Sequence, residues 1–347
     1  MSDSTKHRSA VSATVGAGHS ARAFGRTYGL LTLALVIECV VFELIARRQG
    51  VRSFLSPNSL MLILNHSAVY GVMSVGMTFV IISGGIDLSV GSLVAFGGVI
   101  SAIIVRAGGG EPAWLWIALG WLGALAAGAV AGGLAGTVIT VFEIPPFIAT
   151  LALMSSLRGL GYIIAKGQPI SDLPSAYTAL GRDRILNVVP ISVLVFVAVL
   201  LLGGVLLNHT RFGRHVRAIG GNEESARLSG VNVRAVKWWV YCMSSVLAVV
   251  GGVILSSKLG SGSPKLGLGD ELGVIAAVVV GGTSLSGGRG TIGGTFIGLL
   301  IVSALSSGLN WIGVETFGQQ VILGLVILAA VLLDRFKGRS WSLAKGR

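Results

Sequence analysis

The sequence predicts an all-α integral membrane protein, a polytopic bundle of about ten transmembrane helices with N-in/C-in topology and a weak internal repeat. Three observations predict it. Hydrophobic residues make up 53% of the 347 and charged residues 12%, with a mean hydropathy of +0.84, which leaves too little polar surface to cover a globule in water. The apolar residues lie in long continuous runs, whereas a spanning β-barrel needs stretches of about ten residues that alternate apolar and polar. In lipid a helix then remains as the element that satisfies its own backbone polar groups. Glycine contributes 52 residues, scattered through apolar runs without a period, which excludes collagen and linker readings. Gly120, Gly123, Gly128, Gly132, Gly133 and Gly136 fit a face on which helix backbones approach closely.

The elements follow in order. Residues 1–27 are polar, basic and rich in Ser and Ala, with no apolar run to serve as a cleavable signal, and read as a disordered cytoplasmic tail. The transmembrane domain covers 28–334. Its apolar runs are Tyr28 to Ala46, Asn58 to Ile82, Leu88 to Val105, Ala113 to Phe142, Pro146 to Ala165, Val188 to Leu207, Trp238 to Ser257, Leu272 to Gly282, Thr291 to Leu309 and Phe317 to Leu333. All suit the roughly 20 residues of a spanning helix except the eighth, which is short and fits a tilted, broken or re-entrant segment. Residues 335–347 form a second basic tail.

Charge sets the orientation. A net charge of +12 in a soluble protein suggests nucleic acid; here the positions of the charges report topology, and the expected contact is membrane lipid, not nucleic acid. With ten crossings and the N-terminus inside, sixteen Lys and Arg fall on the cytoplasmic side and nine on the other, as the positive-inside rule requires. Two basic tails favour an even number of crossings, so the eighth run is expected to reach across. Arg47 and Arg48 are an awkward pair outside.

Ser83-Gly84-Gly85-Ile86-Asp87-Leu88-Ser89 is weakly echoed by Val280-Gly281-Gly282-Thr283-Ser284-Leu285-Ser286. Interrupted, Gly-rich helices paired in two halves of a chain point to a translocation path; the same residues also make plain turns. Leu285-Ser286-Gly287-Gly288 carries the letters of an ATPase signature. No phosphate-binding loop and no soluble α/β domain accompany it, so the chain is not expected to hydrolyse ATP. Five scattered histidines and two distant cysteines, Cys39 and Cys242, give no metal or catalytic constellation.

The longest polar stretch, 208–237, is the largest cytoplasmic loop. Asn222 can cap a short helix whose first turn carries Glu223 and Glu224, with Arg227 late and Gly230 as its stop. A docking element and a solvated connector fit this pattern equally.

Four stretches, in order along 58–333, resemble the permeases of ABC importers for ribose, xylose and arabinose. They are Gly76-Met77-Thr78-Phe79 through Gly91-Ser92, Pro145-Pro146-Phe147-Ile148-Ala149-Thr150-Leu151 with Arg158-Gly159, the 208–237 loop, and Gly281-Gly282-Thr283 through Arg289-Gly290. The resemblance implies a monosaccharide permease that works as a homodimer. It also implies a separate ABC ATPase subunit that holds ATP-Mg, and a periplasmic sugar-binding protein; no cofactor is expected on this chain. The loop residues that match the family's coupling segment are Gly220, Asn222, Glu223, Ala226, Leu228 and Gly230, with Arg227 among them, and Ser225 stands where many relatives carry Ala. Their implied role is mechanical, carrying closure of the ATPase into the membrane.

Candidates for the translocation path are Asn65, His66, Asp87, Ser89, Thr283 and Ser284. Asp87 fits helix capping better than a sugar contact, because it precedes Leu88-Ser89-Val90 at a helix start. Glu38 and Arg158 fall inside apolar runs, where an unpaired charge costs at least about 2.5 kcal/mol, and are expected to pair with each other or with polar neighbours. The alternative function is a secondary active transporter driven by an ion gradient. It wants several membrane-embedded carboxylates, of which the sequence offers few, and leaves the long loop without a task.

Overall fold

A computed structural model describes residues 28–48, 50, 53–109, 112–185 and 189–345, with side chains as far as 332. The expected tail 1–27 lies outside the described residues. The helices are α1 (Tyr28–Arg48), α2 (Pro57–Ile82), α3 (Val90–Ala107), α4 (Ala113–Thr140), α5 (Pro146–Ile164), α6 (Ser175–Arg182), α7 (Ile191–His209), α8 (Arg211–Gly221), α9 (Glu223–Leu228), α10 (Val233–Leu259), α11 (Asp270–Val280), α12 (Ile292–Trp311) and α13 (Thr316–Lys345). A two-stranded antiparallel ribbon, β1 (Arg184–Ile185) with β2 (Val189–Pro190), joins α6 to α7.

Among the described residues, eight helices are long and apolar enough to cross a membrane: α1 to α5, α7, α10 and α12. The eighth apolar run does not form a ninth such helix. At 11 residues, α11 rises about 16 Å against a hydrocarbon core of about 30 Å. Left-handed glycines bound it on both sides, Gly267 and Gly269 before and Gly282 after, and they end the helix where the apolar pattern alone would let it run on. The last apolar run gives 17 residues, Thr316–Leu332, and its helix continues without a break to Lys345.

The centre of the bundle is α10, packed against α2, α3 and α4. Lipid tails are as apolar as leucine, so this packing rests on close van der Waals fit and interhelical hydrogen bonds. The glycines of α4 supply the fit: a Cβ on Gly132 would lie 2.7 Å from the Cα of Cys242, and one on Gly128 2.8 Å from Val249. Thr78 and Thr295 join α2 to α12 through their hydroxyls at 2.8 Å. Tyr177 of α6, fully buried, brings its hydroxyl within 3.1 Å of Ser101 and 2.9 Å of Ser256. These bonds pin α6 into the bundle end opposite α8 and α9.

Candidate functional site

In the 208–237 loop two helices form. Thr210 caps α8, accepting from the Gly213 amide at 3.2 Å, and Asn222 caps α9, accepting from the Ser225 amide at 2.8 Å. Glu223 and Glu224 occupy the first turn of α9, where the helix dipole favours negative charge, and Arg227 the last. Arg227 forks onto both oxygens of Glu224 at 2.8 and 2.7 Å, which holds the guanidinium more firmly protonated than usual. Lys237 of α10 meets Glu223 at 2.5 Å. Gly230 stops the helix with a left-handed backbone, and the Val231 amide bonds back to the Ala226 carbonyl at 3.1 Å. Ala226 is buried beneath this turn, whereas Leu228, a large apolar side chain, is 79% exposed.

The base of the loop is wedged into the bundle. Gly220 lies so close to the end of α2 that a Cβ there would overlap the Ile82 carbonyl and approach the Gly288 amide at 2.5 Å. That amide donates to the Ile82 carbonyl at 2.8 Å. Gly287 and Gly288 are both left-handed and turn the chain against Gly220 and Gly221. The signature-like letters therefore form a packing turn.

The two Gly-rich stretches that echo each other in sequence end their helices with one motif. After α2 the Gly84 amide bonds the Ile81 carbonyl and the Gly85 amide the Val80 carbonyl, both at 3.0 Å; after α11 Gly282 bonds Val279 at 2.9 Å and Thr283 bonds Val278 at 3.2 Å. The left-handed residues are Gly84 and Gly282, so the structural equivalence lies one residue beyond the pairing of the letters.

The six path candidates do not converge. Asn65 accepts from Ser192 of α7 at 3.1 Å, while His66, the next residue round the helix, is exposed. Thr283 lies at the other end of α2, buried beside Gly290 and Ile82, about 25 Å along the helix axis from Asn65, and Ser284 follows it. Asp87 and Ser89 lie between, fully buried. The carboxylate of Asp87 accepts from the Ser89 amide at 2.9 Å and hydroxyl at 2.6 Å, and from Ser244 of α10 at 2.8 Å. It thus satisfies a backbone N–H one residue before α3, whose cap residue is Ser89, and it also ties α3 to α10.

With this geometry in view, comparison with known proteins decides the family. Residues 59–331 match the model for "Branched-chain amino acid transport system / permease component". The chain is 45% identical to the ribose import permease protein of Bacillus subtilis (strain 168), covering 82% of this chain and 87% of that protein. It is 37% identical to the L-arabinose transport system permease protein of Escherichia coli (strain K12), covering 94% and 96%. It is 39% identical to a probable ABC transporter permease protein of the same strain, covering 88% of each. No solved structure matches significantly. The chain belongs to the ABC-transporter permease family of these ribose and arabinose proteins. It is a multi-pass protein of the inner membrane.

A second polar cluster in this permease escaped the sequence reading. Tyr70, at the middle of α2, donates to Asp270 at 2.7 Å, and Glu271 lies against Gly91 at the start of α3. The first turn of α11 therefore sits halfway along α2, with two carboxylates inside the bundle and not in an outer loop. Arg158 of α5 donates to the carbonyls of Pro264 at 3.0 Å, Leu266 at 2.6 Å and Gly267 at 3.3 Å. Of the two pairings expected for Glu38 and Arg158, Arg158 finds polar neighbours in these carbonyls and the two do not pair with each other, because α1 packs with α12 and α13; one oxygen of Glu38 is buried with no hydrogen-bond partner. Embedded carboxylates are accordingly more numerous than the sequence reading had them. The available signal was the short eighth run itself, opened by two acids that a helix N-terminus favours.

Proposed function

We propose that this chain is the path-forming subunit of an ATP-driven importer for a monosaccharide of the ribose, xylose or arabinose kind, coupled to a separate ATPase that holds ATP-Mg. The observation that carries the reading is α9: a capped two-turn helix presenting Leu228 to solvent, on a base locked by Gly220 to the end of α2 and to the 287–288 turn. An exposed apolar knob on a rigid mount is the form a docking element needs. The sugar class comes from the printed names of the relatives. A periplasmic sugar-binding protein would deliver the sugar at the end of the bundle opposite α8 and α9, near α6.

Ten crossings, with both chain ends on the side of α8 and α9, complete the proposal. It is supported by the hydrogen bond of Tyr28, at the start of α1, to Thr291, at the start of α12, since Thr291 closely follows the turn packed on Gly220. In this topology α13 returns to that side and the segment 260–280 crosses as an irregular half followed by α11. Arg47, on the outer side, is paired with Glu43 at 2.7 Å, which softens its conflict with the charge rule. Working as two copies fits the outward face of α5, where Ser155, Ser156 and Gly159 are exposed and small enough for close helix packing.

The test is uptake of ribose and of L-arabinose by proteoliposomes containing the chain, its ATPase and its binding protein, with Leu228→Glu as the variant. Leu228 is too exposed for its loss to disturb the bundle, so the expected result is a fall in ATP-dependent uptake of about tenfold or more with an unchanged melting temperature. Uptake that needs no ATPase, or that survives the substitution with full ATP stimulation, overturns the reading.

A further inference from the structure

The segment from Ser261 to Val280 is a broken crossing, and each end of its helical half is held differently. At the outer half, 261–269 runs from the end of α10 to the middle of α2 with little regular structure. Gly262 and Ile170 exchange backbone bonds at 2.7 and 3.0 Å, but Pro264, Leu266 and Gly267 direct their carbonyls at Arg158. In a bundle interior such carbonyls need donors, and a guanidinium offers five N–H groups in a rigid fork. At the inner end α11 continues into the turn that rests on Gly220 and Ile82. A shift of α8 therefore bears on one end of α11, and Arg158 restrains the other.

The cluster contains a second acceptor for the same guanidinium. Asp270 is held by Tyr70, whereas Oε2 of Glu271, buried, has no hydrogen-bond partner and lies beside the Gly267 carbonyl, each of the two oxygens 2.3 Å from where a Cβ on Gly91 would fall. Arg158 thus holds the Gly267 carbonyl at 3.3 Å with an unpartnered carboxylate oxygen beside that carbonyl, which gives the guanidinium an alternative acceptor, as a two-state element requires.

We propose that Arg158 is a latch on the broken crossing: it holds 261–269 against α5 in the resting state and transfers to Glu271 when movement of α8 displaces α11, releasing the segment to open the path. This inference rests on the importer reading and makes Arg158 and Glu271 positioning residues.

Hydrogen exchange of the 261–269 amides tests it, measured on the complete complex in nanodiscs, nucleotide-free and trapped with ATP and vanadate. In the wild type, exchange should rise about tenfold on trapping. Arg158→Gln should exchange fast in both states, Arg158→Lys in between, because an ammonium keeps the charge but replaces the rigid two-nitrogen fork that reaches the three carbonyls with a single point donor on a flexible stem. Glu271→Gln, which keeps the shape and removes the charge, should stay slow in both states and lose uptake while retaining ATP hydrolysis. Equal wild-type exchange in the two states, or a Glu271→Gln variant that opens like the wild type, overturns the latch. Failure of the importer reading shows separately, as wild-type uptake independent of the ATPase. The Arg158→Gln and Glu271→Gln contrast can then still be read on the chain alone, where equal exchange in the two variants rejects the latch.

Discussion

Two short helices in this permease open alike and sit in opposite surroundings. Glu223 and Glu224 start α9; Asp270 and Glu271 start α11. In α9 the acids face water, the cap is a side chain three residues from the amide it accepts, and the stop is a left-handed glycine. In α11 no side chain caps the first turn; a tyrosine 200 residues away takes one acid, and an arginine more than a hundred residues away takes the carbonyls just before it. The comparison teaches that water lets local chemistry finish a helix end, while inside a membrane distant partners must do so.

The difference can be broken most severely where both regions meet. Gly220→Ala places a methyl against the carbonyl of Ile82 and the amide of Gly288, both backbone, so neither can give way as a flexible side chain would. Overpacking of this kind costs about 1–3 kcal/mol, and the expected outcome is lower assembly yield together with loss of uptake. Normal yield and uptake would mean that α8 is not wedged as described.

Tyr70→Phe probes the buried partner alone. It leaves the Asp270 carboxylate without its donor, a loss of about 1–3 kcal/mol for a buried group, and should lower the melting temperature of the purified chain. Asp270→Asn, which keeps an oxygen acceptor for Tyr70, should lower it less. Equal losses in the two variants would point to burial and not to the hydrogen bond.

Asn222→Ala should have the smallest effect, about 1 kcal/mol confined to α9. The melting temperature of the bundle should not move, and amide exchange in Glu223–Leu228 should quicken. A global shift in melting temperature would mean that the Asn222 cap supports more of the bundle than α9 itself.

How far the sequence could be read follows the same division. The apolar runs placed most of the long helices to within a few residues, except that α10 starts at Val233 ahead of its run and α13 continues to Lys345 past the end of its run, and the spacing of Asn222, Glu223, Glu224 and Gly230 described α9. The glycines of α4 were legible as a packing face, and the short eighth run as a tilted, broken or re-entrant element. Of the two kinds of partner expected for Arg158, it takes polar neighbours, the carbonyls of Pro264, Leu266 and Gly267, and not Glu38; both lay in apolar runs, and nothing in one dimension ranks possible partners. The path candidates scattered for a related reason: Asn65 and His66 are neighbours in sequence, but a helix turns about 100° per residue and sends one to α7 and the other outward. α6 and α8 were not anticipated, being short helices set by Tyr177 and Thr210 contacts and not by apolar length.

By itself the sequence determined that the chain is a bundle of membrane helices with a capped helix in its longest polar loop, because hydropathy and capping act within one turn or one span. Tertiary structure alone decided that α11 stops halfway, that Asp270 and Glu271 lie inside, and that Gly220, Ile82 and Gly288 form one joint. Depth in a membrane is set by the neighbours a segment packs against, and an apolar residue looks the same in sequence whether it faces lipid or another helix.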